Sequence, residues 1–181
     1  PSVLKVFKEL ENEGFRVSYI PVDDNGVIKL DELKKEICKD TILVSIMAVN
    51  NEVGAIMPIK EMNNIIKQNS KAYFHIDAVQ AVGKVNINYN DADLITVSLH
   101  KLGGLKSSGL LFKRKGIDLF PQLIGGGQEE GLRSGTNDTP MALASLVAVK
   151  HAFNEMDKRI NYVKELVEPI YEYLAKGDFT I

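Results

Sequence analysis

The 181 residues are 45% apolar and 25% charged, an ordinary composition for a soluble globular chain and enough for one domain with a core. Net charge is -2, from 22 basic and 24 acidic residues without blocks of one sign, which gives no electrostatic reason for a nucleic-acid or anionic-membrane partner. The longest largely apolar run, residues 42–49, is far short of the roughly 20 residues a bilayer span needs. One cysteine, Cys38, excludes an internal disulfide framework and fits a reducing compartment, so a cytoplasmic setting is expected.

In chain order, Val3, Val6, Phe7 and Leu10 recur at helical spacing ahead of Gly14, which predicts a helix with a glycine stop. Residues 15–22 read as a strand, and Asp23, Asp24, Asn25 and Gly26 as a turn. Asp31 is placed to cap a short helix carrying Leu33 and Ile37, with Cys38 in the same helix as a structural residue. Residues 41–49 read as a strand, and Pro58 opens a helix bearing Met62, Ile65 and Ile66. Further strands are predicted at 72–76, 94–99 and 108–112. Strands alternating with helices argue an α/β fold, a mostly parallel sheet with helices on both faces.

Thr139 and Pro140 open a long helix. Its apolar residues Val149, Phe153, Met156, Ile160, Val163, Val167, Ile170 and Leu174 repeat at 4 and 3, and Pro169 is expected to kink it. The plain reading of that stripe is core packing; the other is a partner-binding surface. The chain opens on Pro1 with helical patterning under way by Val3, and a β-type run begins at Phe179. Both ends are therefore read as cuts in a longer chain. The expected division is a large-domain portion at 1–138, a connecting helix at 139–176, and the start of a small domain at 177–181.

In open parallel sheets, sites gather at the carboxyl ends of strands. Three predicted strands end in polar clusters: Asn50, Asn51 and Glu52; His75, Asp77 and Gln80; Ser98, His100 and Lys101. A lysine amine can form a Schiff base with an aldehyde cofactor, and a carboxylate can keep a pyridine nitrogen protonated. Taken alone, Asp77 is equally a helix cap, and His75 a packed strand histidine. The glycine-rich stretch from Gly125 to Thr136 offers Arg133, Ser134 and Thr136 as anion donors, or is a flexible surface loop. Neither it nor the Gly103-Gly104 turn is a P-loop, for no Gly-Lys-Ser/Thr closes either.

The runs from His75 to Lys84, Ser98 to Lys101, Gly125 to Glu129 and Gly131 to Thr136, with Asn50 to Gly54, resemble the cysteine desulfurases in order and spacing. These are class V, fold-type I enzymes dependent on pyridoxal 5'-phosphate. The resemblance implies that Lys101 holds the cofactor and moves the substrate proton. It implies that Asp77 partners the ring nitrogen, Gln80 the ring hydroxyl oxygen, and Asn51 that oxygen and the substrate carboxylate. Ser98 and His100 become phosphate ligands, and Thr136 a phosphate ligand reaching the other subunit of a homodimer. It further implies L-cysteine as substrate and a sulfur-acceptor protein as partner, with the nucleophilic cysteine outside this chain, so that the chain alone is inactive. Three departures stand out: Leu105 and Ser107 occupy positions where the family commonly has proline and glycine, and Glu130 one where a basic residue is frequent. A selenocysteine lyase, another class V reaction, or a non-catalytic scaffold module are the alternatives.

Overall fold

The computed structural model describes residues 2–177; the expected start of a small domain falls, from residue 178 on, outside them. The described residues form two compact units. One takes the chain up to Gln80, with Ile87–Val97 and Gly109–Phe120; the other takes Ala81–Asn86, Ser98–Ser108 and the chain from Pro121 on.

The first unit is built on a sheet of order β1-β2-β3-β4, with β1 Leu43–Met47, β2 Tyr73–Asp77, β3 Leu94–Ser98 and β4 Gly109–Lys113. β1, β2 and β3 are parallel, and Met47 pairs with Asp77, which pairs with Thr96. β4 runs the other way. Leu99 N donates to Ser108 O at 3.2 Å and Arg114 N to Asp93 O at 2.9 Å, so the chain positions on the two strands change in opposite directions.

Side chains alternate across a strand, and β2 shows the consequence. Phe74 and Ile76 are fully buried, while His75 and Asp77 on the other face are half-buried. The buried core also includes Met62 and Ile66 from α3 (Ile59–Asn69) and Leu33 from α2 (Leu30–Glu36), helices that touch each other. Burial of each such side chain contributes roughly 1.5–3 kcal/mol.

α1 spans Ser2–Asn12, as its spacing predicts. The turn after Pro21 is held by Asp23, whose Oδ1 accepts from Asn25 N and Val27 N, both at 2.9 Å. Residues 15–22 do not form a strand. Only a single antiparallel bridge, Val22 to Ile28, is made there, because no described strand lies alongside to complete a ladder. Asp31 does not cap α2. The N-cap is Lys29, and Asp31 sits in the first turn, where a carboxylate favours the helix dipole instead. α2 ends at Glu36, so Cys38 lies beyond it. Its Sγ accepts from Arg16 Nη2 at 3.0 Å.

The second unit holds α4 (Thr139–Asn154) and α5 (Met156–Ala175). Asp138 caps α4 by accepting from Met141 N at 2.9 Å. The long helix breaks at Glu155, not at Pro169, which stands inside α5. Arg159 explains the break. Its Nη2 donates to Ala152 O at 2.6 Å, taking the acceptor that Met156 N would use in a continuous helix, and to Gly83 O at 3.1 Å. Gly83, at φ +68°, is wedged so tightly that a Cβ there would lie 2.9 Å from the Ala152 Cβ. The apolar stripe is not core within the described residues: α5 has no buried residue, and Val163 and Ile170 are exposed.

Candidate active site

The carboxyl ends of the strands carry the polar residues, as a parallel sheet requires. In the first unit, β1 leads to a tight turn built by Asn50. Its Oδ1 accepts from Glu52 N at 2.8 Å and Val53 N at 3.1 Å, and its backbone N–H donates to Ala55 O at 2.9 Å. Asn51 sits exposed at the tip of that turn. The sequence places Asn50 in this polar cluster without a role; its role is to build the turn, as an asparagine ahead of a glycine often does.

Asp77 ends β2. Its Oδ1 accepts from Val79 N at 3.0 Å, so this oxygen caps the following turn. Gln80 is half-buried three residues on. Behind Asp77, His75 bridges two strands, with Nδ1 2.7 Å from Ser45 Oγ and Nε2 3.2 Å from Thr96 Oγ1. Burial lowers the pKa of this imidazole, against a smaller upward pull from the Asp77 carboxylate.

In the second unit, the chain leaving β3 winds through a short 3-10 turn, Leu99–Leu102. Leu99 and Leu102 are buried and the turn packs on α4, leaving His100 and Lys101 exposed between them. Ser98 Oγ lies 2.8 Å from His100 Nδ1. Gly104 N donates to Leu99 O at 3.0 Å, and a Cβ at Gly104 would meet that oxygen at 2.8 Å, so the turn closes only over glycine. Ser107 adopts φ +63°, the left-handed conformation glycine favours.

Lys84 was given no role from sequence. Its pKa is lowered, first by burial and then by the like charges of Lys101 and Arg159 in the same unit. Two further cations of this unit, Lys101 and Arg159, therefore act on Lys84.

The stretch from Gly125 to Thr136 is not loosely held. Ser134 N donates to Leu123 O at 3.2 Å, Gly131 N to Gly127 O at 3.0 Å, and Gly135 N to Gln128 Oε1 at 3.0 Å. Arg133 Nη1 is spent on Ser134 O at 3.1 Å, and Thr136 is exposed. Among the described residues, no group of three or more His, Cys, Asp or Glu side chains could hold a metal ion.

Comparison with known proteins bears on the family of the chain. The aminotransferase class-V family model matches residues 1–180. The cysteine desulfurase IscS of Rickettsia prowazekii is 42% identical over 170 residues, covering 92% of this chain and 41% of that relative. A solved NifS-like protein superposes with a TM-score of 0.92 at 40% identity, covering 96% of this chain and 48% of that one. SspA, solved in complex with cysteine, gives a TM-score of 0.78 at 37% identity, covering 82% of this chain and 44% of that one. The chain spans under half the length of each of these three. On the family match, the shared fold and the ordered motifs, the chain belongs to the class-V aminotransferase family and resembles the cysteine desulfurases within it.

Proposed function

We propose that the whole protein is a cysteine desulfurase, using pyridoxal 5'-phosphate to convert L-cysteine to L-alanine and leave the sulfur as a persulfide on an enzyme cysteine. The observation that carries this reading is the strand-end turn in which Ser98, His100 and Lys101 stand together, in a chain similar to several cysteine desulfurases. A solved relative in complex with cysteine supports the substrate.

The chemistry of the donor set fits the cofactor. Lys101 offers an exposed amine, Asp77 a carboxylate, and Ser98 with His100 a hydroxyl and an imidazole for a phosphate. Pyridoxal phosphate, when bound, would supply an electron sink for the substrate Cα. Lys101 holds the cofactor, then takes and returns the proton at that carbon. Asp77 Oδ2 keeps a proton on the ring nitrogen. Gln80 donates to the ring hydroxyl oxygen, and Asn51 orients that oxygen and the substrate carboxylate. Ser98 and His100 hold the phosphate, and Thr136 reaches the phosphate of a second subunit in a homodimer. A thiolate is the competent sulfur acceptor within the enzyme, and from there sulfur passes to an acceptor protein.

The test is an alanine and sulfide assay of the whole, cofactor-loaded protein with L-cysteine under reductant. Alanine and sulfide in equal amounts are expected, and none from the 181-residue chain alone. A protein that releases alanine from selenocysteine and not from cysteine would replace this reading.

A further inference from the structure

The geometry points to His75 as a positioning residue for Asp77: its imidazole ties the three parallel strands together behind that carboxylate and, staying uncharged, leaves Asp77 free to hold a proton on the cofactor. This inference rests on the assignment of Asp77 to the ring nitrogen.

Ser45 and His75 are register partners across β1 and β2, and Asp77 and Thr96 are partners across β2 and β3. Ser45, His75, Asp77 and Thr96 therefore share one face of the sheet. His75 reaches straight across to Ser45 and diagonally to Thr96, the residue opposite Asp77. Its ring spans the seam at which Asp77 must be held.

A hydroxyl can donate or accept, so Ser45 and Thr96 satisfy both nitrogens of a neutral imidazole in either tautomer. No buried polar atom of the ring is left unpaired, and burial opposes a net charge there. The charged group acting on the ring is Asp77, on the same strand; the register neighbours Ser45 on β1 and Leu94 on β3, and the hydroxyl partner Thr96, carry no charge. Burial outweighs Asp77, and the ring stays neutral near pH 7. A cation one row behind Asp77 would favour its ionised, unshared state and weaken its hold on a proton at the ring nitrogen.

The test has two arms in the whole protein. In the first, without cofactor, 15N NMR of the His75 ring is followed against pH. The expected midpoint lies below the roughly 6.5 of an unperturbed histidine, and Asp77→Asn shifts it lower still. A midpoint at or above that value, or one that Asp77→Asn leaves in place, overturns the inference. In the second arm, the absorption band of the bound cofactor is followed across the same range. Wild type should show a step at the His75 midpoint, and His75→Gln should bind cofactor but lack the step. The same step in both proteins overturns the inference, since a purely structural histidine would change stability and leave the step alone. A wild type that binds no cofactor sinks the cofactor reading alone, and the NMR arm still decides whether His75 and Asp77 are coupled.

Discussion

Ser98 Oγ stands 2.8 Å from His100 Nδ1, across one turn of 3-10 helix whose next residue is Lys101. The pair fixes the histidine ring beside the lysine before any ligand arrives. If both hold the phosphate, Ser98→Ala removes one donor and releases the other. A hydrogen bond to a charged group is worth about 1.5–3 kcal/mol, so affinity for pyridoxal phosphate should fall at least tenfold. A fluorescence titration measures it, and an unchanged dissociation constant would remove Ser98 from the phosphate site.

Asp93 is the stability counterpart of that pair. Its side chain is 9% exposed and accepts from Lys67 Nζ at 2.6 Å, Phe74 N at 2.8 Å and Arg114 Nε at 3.2 Å. Burial alone would raise its pKa. The Lys67 and Phe74 hydrogen bonds, with the charges of Lys67 and Arg114, outweigh it and hold the carboxyl below its ordinary range. The folded pKa is depressed, so this stabilisation is complete above the unfolded value near 4 and is lost as pH falls through the folded value. Asp93→Asn should cost about 2 kcal/mol at neutral pH and flatten the acid limb of a urea-unfolding series. Equal acid sensitivity in both proteins would show that other groups set that limb.

Ser107 departs from the family glycine and holds φ +63°. A left-handed conformation costs a residue with a Cβ roughly 1–2 kcal/mol, offset in part by the entropy a glycine adds to the unfolded chain. Ser107→Gly should therefore stabilise the protein by about 0.5 kcal/mol, a small rise in thermal midpoint. A drop in midpoint would mean the serine hydroxyl is worth more than its backbone strain.

Cys38 has its thiol pKa lowered, first by hydrogen bonding to Thr41, then by backbone bonding at Asp40 and by Arg16. It lies beyond α2 in the first unit and not among the strand-end residues. Cys38→Ala should retain full desulfurase turnover in the whole protein. Loss of the persulfide in that variant would make Cys38 the sulfur carrier.

Periodicity made the main elements legible. Val3 to Leu10 announced α1, and Tyr73–Asp77 and Leu94–Ser98 fell within a residue of their expected bounds. The candidate site was legible because strand ends in a parallel sheet collect polar residues, and Asp77, Ser98 and His100 sit there. What was hidden depended on distant partners. Residues 15–22 have strand composition but, among the described residues, make only the Val22 to Ile28 bridge. The break at Glu155 comes from Arg159 capturing Ala152 O, a contact that apolar spacing does not encode. The Ser45 and Thr96 bonds to His75 needed strand register, which no local pattern supplies.

Lys101 is proposed to carry the cofactor, and borohydride reduction of the cofactor-loaded protein, followed by proteolysis and mass spectrometry, identifies the lysine that does. A phosphopyridoxyl mass is expected on the peptide containing Lys101, absent in Lys101→Ala. The same mass on Lys84 or Lys106 in place of Lys101, or on no lysine of a protein that has bound the cofactor, would contradict it.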